Sequence, residues 1–477
     1  MMRTVSMSRI IAAVGGTLLL SACKTFSPDG GMSVPAGIAA DELRKDVIAV
    51  RTEQDAAVAR AKVDHLLKRP LTADAAVQIA LLNNRGLQAA YNELALAEAR
   101  MVEGSLPPNP NFLLSRTSTP AELDIERQIV VNILLLATLP VRTEIAADRF
   151  RQAQLRAAEE TLRVAAETRR NYYRAVAGRE LVGFLTQAQS AANMATEFAV
   201  RLGETGAMNK LDQAREQVFY AELTGQLAAA RQRATSDREA LVRSLGLWGA
   251  DLQFKLPSAL PALPPGAKML PGVEREAIRK RVDLQVARIE LDALAKSYGL
   301  TQATRFINLL DVAGVSHTHR EAEGSKVSGS GVAVEFQVPI FDGGEVRVRQ
   351  AESTYMEAVN RLAERAVNVR SEARNAYRVY RSAYDIASHY RREVLPLRKI
   401  ISDETLLRYN AMQIDVFSLL AEARQRIAAI TAAIEAQRDF WLATTDLSVA
   451  VAGGGVSGGR SEGPKAEASP AGGVGAN

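Results

Sequence analysis

Cysteine is almost absent from this chain: one residue, Cys23, in 477. A disulfide framework within the chain is therefore excluded. Aromatic residues are scarce as well, at 5%, while Ala, Arg, Glu, Gln and Leu fill long stretches. That composition belongs to long helices and coiled coils rather than to a compact enzyme. Charge of one sign is also lacking. Lys and Arg alternate with Asp and Glu, the net charge is +5, and no basic cluster is interleaved with aromatics. The pattern is that of a solvated helical surface and argues against nucleic-acid binding. No segment after the first residues reaches the roughly eighteen apolar positions of a spanning helix. No nucleophile elbow, phosphate loop or zinc-protease motif occurs, so enzyme is the weakest function class and no cofactor is expected.

What is present starts at the amino end. Arg3 and Arg9 precede an apolar run from Ile10 to Leu20, which ends in Leu20-Ser21-Ala22-Cys23. A basic start, a short apolar stretch and small residues predict a secretory signal over 1–22, too short to span a membrane. The Leu-Ser-Ala-Cys ending resembles a bacterial lipobox; an ordinary signal with an incidental cysteine is the plainer alternative. The resemblance implies a lipid (palmitate-type) modification of Cys23 and a lipid-anchored segment over 23–70. Several acyl chains at about 0.8 kcal/mol per buried CH₂ make such an anchor effectively permanent. Lys24 follows, not the Asp that retains lipoproteins of enteric bacteria at the inner membrane, so the resemblance implies the outer membrane.

The rest reads as two halves on one plan, 71–255 and 272–452, joined by a Pro-rich linker, 256–271. Arg85-Gly86-Leu87-Gln88-Ala89-Ala90 aligns with Val282-Asp283-Leu284-Gln285-Val286-Ala287, and Glu93 and Leu94 with Glu290 and Leu291. Each half carries a helix of about thirty residues, a β-like region, a very long helix, a short break and another long helix. Val359, Leu362, Ala366, Val369, Ala373, Ala376, Tyr380, Ala383 and Ala387 advance in steps of three and four, a coiled-coil seam. Leu155, Ala158, Leu162, Ala165, Tyr172 and Val176 form a weaker copy, interrupted by Arg169. A helix from Gly344 to Ala411 would be roughly 100 Å long at 1.5 Å per residue. That length suits a conduit across the periplasm better than a self-contained bundle. Residues 453–477, rich in Gly, Ser, Ala and Pro, are expected to be disordered.

Val332, Val334, Phe336 and Val338 alternate with Ala333, Glu335 and Gln337, a period of two with one greasy and one polar face. Glu335 and Gln337 are the expected lumen-facing positions of a transmembrane strand. Ile129, Val131, Ile133, Leu135, Ala137 and Leu139 predict a second strand that ends at Pro140. Partner strands are expected near 112–117 and 306–315. An edge strand on a water-exposed sheet is the alternative. Four strands cannot close a barrel in lipid, where open edges leave backbone groups unpaired. A barrel shared by three chains, with twelve strands, is the smallest odd-fold solution.

Phe336-Gln337-Val338-Pro339-Ile340-Phe341-Asp342-Gly343-Gly344 resembles the strand-to-helix signature of TolC family outer-membrane efflux proteins, with Pro339, Asp342, Gly343 and Gly344 forming the turn. Leu106-Pro107-Pro108-Asn109-Pro110 resembles the entry to their first strand, and Arg281-Val282-Asp283-Leu284 the start of their second repeat. Gly206-Ala207-Met208-Asn209-Lys210-Leu211-Asp212 resembles the break between their long helices. The likeness runs from about Leu71 to Ala450. It implies a mainly α protein with a small membrane β part, a trimer whose twelve-stranded barrel stands above a long helical tunnel. It also implies two partners, a periplasmic adaptor and an inner-membrane pump, with the resistance-nodulation-division class favoured. Export of small molecules or ions follows; a structural lipoprotein with a coiled-coil rod is the alternative. The periplasmic tip and adaptor contact would comprise Gly203, Gly206, Asn209, Asp212, Asn410, Met412 and Asp415. Met412 stands where a Gly is usual, with Asn410 as the expected left-handed residue. Ser418 and Ala421 occupy the positions at which some relatives close the tunnel with aspartates, leaving Asp212 or Asp415 to serve.

Two further signals are set aside at this level. Gly453 to Gly458 matches a dinucleotide fingerprint formally, but it follows a helix and opens none. His317-Thr318-His319, with Asp311 nearby, would sit in a hairpin loop without a third ligand at regular spacing, so no metal site is expected.

Overall fold

In a computed structural model, residues 26–120, 122–206, 208–321 and 324–453 are described. Cys23, the signal stretch and the carboxyl-terminal tail lie outside them. An amino-terminal arm carries α1 (Ser33–Ile38) and α2 (Glu53–Leu67). Then follow α3 (Ala73–Asn83), α4 (Arg85–Ser105), β1 (Asn111–Ser118), β2 (Glu122–Asn132), a short α5 (Ile133–Ala137), α6 (Leu139–Glu204) and α7 (Lys210–Leu245). The second half runs α8 (Val273–Lys280), α9 (Val282–Ala303), β3 (Leu309–Glu321), β4 (Lys326–Gln337), α10 (Glu345–His389), α11 (Leu395–Asn410) and α12 (Val416–Ala452).

Three differences from the sequence reading have local causes. The expected strand through Leu139 stops at Asn132, whose Oδ1 accepts the Leu135 amide at 2.7 Å and caps α5. Leu and Ala after Ile133 are good helix formers, so the cap decides. The helix of about thirty residues is broken in each half, at Asn84 and at Arg281, both with extended ψ. Asn84 caps α4 through Leu87, at 3.0 Å. The long helix from Gly344 holds one wide π turn, Tyr390–Val394, which ends two residues before Pro396. Proline lacks an amide hydrogen and its ring crowds the carbonyl four residues back, and the wider turn relieves that conflict.

The helices pack along their predicted seams. Leu155, Ala158, Leu162, Ala165, Tyr172 and Val176 are buried in α6, as are Val369, Ala373, Tyr380 and Ala387 in α10. At 66 residues, α6 is roughly 100 Å long. Arg169 leaves the seam to pair with Asp74 at 3.2 Å. The Pro-rich linker is strapped onto the helices: Tyr384 donates to the Pro264 carbonyl at 3.2 Å, and Trp441 Nε1 to that of Pro261 at 3.0 Å. Among the described residues no helix is long and apolar enough to cross a membrane.

The four strands make one antiparallel sheet in chain order, β1-β2-β3-β4. The two hairpins join through β2 and β3, with Asn132 opposite Asp311 and Asp124 opposite His319. The sheet stands at the ends of α4, α6, α9 and α10, and its outer strands β1 and β4 are open edges.

Candidate functional site

Directly opposed residues of an antiparallel pair share a face, and neighbours along a strand alternate. The register therefore sorts the sheet into two chemistries. One face carries Phe112, Leu114, Ile129, Val131, Val312, Val332, Val334 and Phe336. The opposite face carries Glu122, Asp124, Glu126, Asp311, Glu321 and Glu335. Glu335 lies opposite Asp311, and Gln337 opposite Leu309, so both predicted polar positions fall on the acidic face. Among the described strand residues no Lys or Arg does: Arg116, Arg320 and Lys326 take the other face near the hairpin ends, and Arg127 takes it at the middle of β2. Sequence reading missed this segregation, although the parity of β2 and β3 carries it once the register is known.

At the base of β4 the chain must reverse from extended to helical. Gly343 and Gly344 both take positive φ, +56° and +74°. A Cβ on Gly344 would lie 2.2 Å from the Arg305 carbonyl oxygen, so only glycine fits. Pro339 ends the ladder, and its carbonyl accepts the Gly343 amide at 2.8 Å. Asp342 accepts the amides of Gly344 and Val346 at 3.0 and 3.4 Å, placing a carboxylate at the start of α10. Arg305, from the end of α9, donates to the Gly343 carbonyl at 2.8 Å and pairs with Glu345 at 2.8 Å. Phe341 beside this turn is 99% exposed and Phe306 63%. Aromatic rings at the foot of an apolar sheet face suit a membrane interface.

At the far end of the helices lie the two turns between long helices. Gly206 takes φ +74°, and three residues later Asn209 accepts the Asp212 amide at 2.9 Å to cap α7. Met412 takes φ +57°, and three residues later Asp415 accepts the Ser418 amide at 2.9 Å to cap α12. The left-handed residue of the second turn is thus Met412 rather than Asn410, which ends α11. Gly203, in the last turn of α6, accepts the Gly206 amide at 3.1 Å. Both candidate aspartates are engaged locally. Asp212 pairs with Arg215 at 3.1 Å, and hydrogen bonds from the Ser418 hydroxyl and amide hold the Asp415 carboxyl below its usual range.

A cross-link that the sequence did not disclose ties the two turns together. Arg424 of α12 donates to the Arg215 carbonyl at 3.3 Å and stacks 4.4 Å above the Phe219 ring of α7. Arg398 of α11 meets Glu422 at 3.1 Å. The Arg281 motif is a structural clasp: its guanidinium binds Asp283 at 3.0 and 2.7 Å and also reaches Glu372 of α10.

His317 and His319 are not in a hairpin loop. Both lie within β3, and the carboxylate that meets them is that of Asp124 of β2 rather than Asp311, which sits opposite Asn132.

Residues 273–411 match the family described as outer membrane efflux protein. The cobalt-zinc-cadmium resistance protein CzcC of Cupriavidus metallidurans is 26% identical over 315 residues, 62% of this chain and 70% of CzcC. Among solved structures, CusC superposes with a TM-score of 0.67 at 16% identity, covering 80% of this chain and 92% of CusC. The CmeC outer membrane channel of Campylobacter jejuni gives 0.67 and 16%, over 80% of this chain and 85% of its own. The open MtrE outer membrane channel of Neisseria gonorrhoeae gives 0.65 and 17%, over 80% and 88%. At these identities the structural matches establish the fold.

Proposed function

We propose that this chain belongs to the outer membrane efflux protein family and is the outer-membrane channel of a tripartite efflux system. One observation carries the reading: a four-stranded sheet with an exposed apolar face, an acidic face and two open edges stands on a helical body roughly 100 Å long. Open edges are not tolerated in hydrocarbon. Three chains of four strands each close a twelve-stranded barrel, apolar side to lipid and acidic side to water, with the two halves acting as repeats. The conduit is passive; a pump and a periplasmic adaptor supply energy and selection, and the turns at Gly206 and Met412 are where the adaptor docks. An inner-membrane pump of the resistance-nodulation-division class is the favoured partner.

The acyl anchor fits the same geometry. The Ser27 amide donates to Glu98 at 2.6 Å, near the sheet end of α4. Cys23 lies four residues earlier, a reach of about 14 Å at 3.3–3.6 Å per residue. The name of the CzcC relative favours divalent metal ions as cargo. Purified protein in planar bilayers should show trimer-dependent current, and an adaptor and pump should copurify from membranes. A trimer that conducts nothing would leave only a coiled-coil rod.

A further inference from the structure

We propose that Asp124, His317 and His319 form a binding site for a divalent cation of the zinc class on the acidic face of the sheet. His317 and His319 are two positions apart in β3, so both imidazoles leave the same face. Asp124 of β2 stands opposite His319 in the ladder. Ligand atoms of all three side chains lie within 4.8 Å of one another, and His317 Nε2 is 3.1 Å from Asp124 Oδ1. That oxygen is buried and accepts no hydrogen bond. The 3.1 Å contact from His317 Nε2 lacks hydrogen-bond alignment, so the buried oxygen is left unsatisfied, and a cation held between it and the two imidazoles would satisfy it.

The ligand types select the ion. Two imidazoles and a carboxylate suit zinc, cobalt or nickel, whereas magnesium and calcium take oxygen ligands almost throughout. Three protein ligands leave a further position for water, the open arrangement of an exchangeable site rather than a closed structural one. The ladder holds the two strands in register, so the ligands are preorganised. Glu126 stands opposite His317, Glu122 opposite Glu321, and no described basic strand residue shares the face, so the local potential favours cations. The site lies at the hairpin end of the sheet, away from the helices. The site itself rests on the sheet alone; its place at the outer mouth of a pore rests on the channel reading above.

Metal-stripped full-length protein in detergent would be titrated with Co²⁺, read by visible absorption, and with Zn²⁺, read by calorimetry. One ion per chain is expected, with a hundredfold excess of Mg²⁺ failing to compete. His317→Ala, His319→Ala and Asp124→Asn should each weaken Zn²⁺ at least tenfold while the heat-resistant trimer band persists. The double variant His65→Ala/His389→Ala removes the other two histidines of the chain and should bind as the parent does. Unchanged affinity in His317→Ala/His319→Ala, or binding lost in the His65/His389 variant, overturns the site. In planar bilayers, Zn²⁺ should lower the parent's current and leave that of His317→Ala/His319→Ala unchanged. Site-dependent binding with no current in any form keeps the site and removes the channel reading. Current insensitive to Zn²⁺ in a parent that binds it removes the site from the pore.

Discussion

Arg424 Nη2 lies 3.4 Å from Glu216 Oε1, so the second coiled hairpin is pinned to the first by an ion pair whose acid is buried and whose base is half in water. The Glu216 side chain is 3% exposed and that of Arg424 41%. Burial pushes the Glu216 carboxyl above its usual value of 4.5; Arg424 opposes the shift and Asp212 adds to it. A raised carboxyl makes its contribution to stability in full below the unfolded value and loses it as pH rises through the folded one. Arg424→Ala removes the opposing charge, so its cost should be small at pH 4.5 and about 1–3 kcal/mol at pH 7.5, after allowing for the exposure of Arg424. Denaturation at the two pH values tests this. Equal losses would mean that Arg424 acts through the Phe219 ring and the Arg215 carbonyl rather than through Glu216.

The turn at the foot of β4 separates its two glycines. Gly344→Ala meets the Arg305 carbonyl, while a Cβ on Gly343 comes no nearer than 4.0 Å to the Arg305 guanidinium. Gly343→Ala should cost about 1–2 kcal/mol, the left-handed penalty alone. Gly344→Ala should cost more, because backbone must move. Urea midpoints of the two variants decide, and similar values would show that the turn relaxes freely.

The two sheet faces should differ in what they tolerate. Val334→Arg places a charge on the apolar face and should cost roughly 2–4 kcal/mol per chain near mid-membrane. Glu335→Gln should leave insertion intact and lower the preference for cations. Heat-modifiability on gels and reversal potentials in bilayers are the readouts. Equal tolerance at both positions would rule out a membrane strand.

Much of this was legible in the sequence because burial repeats. The seam from Val369 to Ala387 and the alternation from Val332 to Val338 fix element type and facing before any contact is known. The short run from Ile133 to Ala137 fits either period, and the deciding signal was the cap at Asn132. His317 and His319 read as loop because polar strand residues facing water lack a greasy alternation. Only pairing on both sides, to β2 and β4, extends the strand through them. The Glu216–Arg424 pair spans 208 positions, and no local pattern announces it.

If Cys23 carries the anchor, Cys23→Ser should leave the precursor uncleaved by the lipoprotein peptidase and unlabelled by radioactive palmitate. Unchanged labelling would sink the lipobox reading.

The tip offers a paired test, because its two turns share one geometry with different residues. Gly206 and Met412 each take the left-handed conformation three residues before a capping side chain. A non-glycine there costs roughly 1–2 kcal/mol, and Met412 already bears it while 94% exposed. Met412→Gly should therefore raise stability slightly, offset by the greater freedom of glycine in the unfolded chain. Should export nonetheless fall and crosslinking to the adaptor weaken, the methionine side chain is held at the tip for contact. A Cβ on Gly206 meets no atom within 4 Å, so the Cβ of Gly206→Val strains the turn through its left-handed φ rather than through a clash. It should still trimerise and insert, since the sheet is about 100 Å away along 1.5 Å per helical residue, yet lose efflux and adaptor crosslinks. Full export by Gly206→Val, together with unaltered crosslinking by Met412→Gly, would move the docking surface away from these turns.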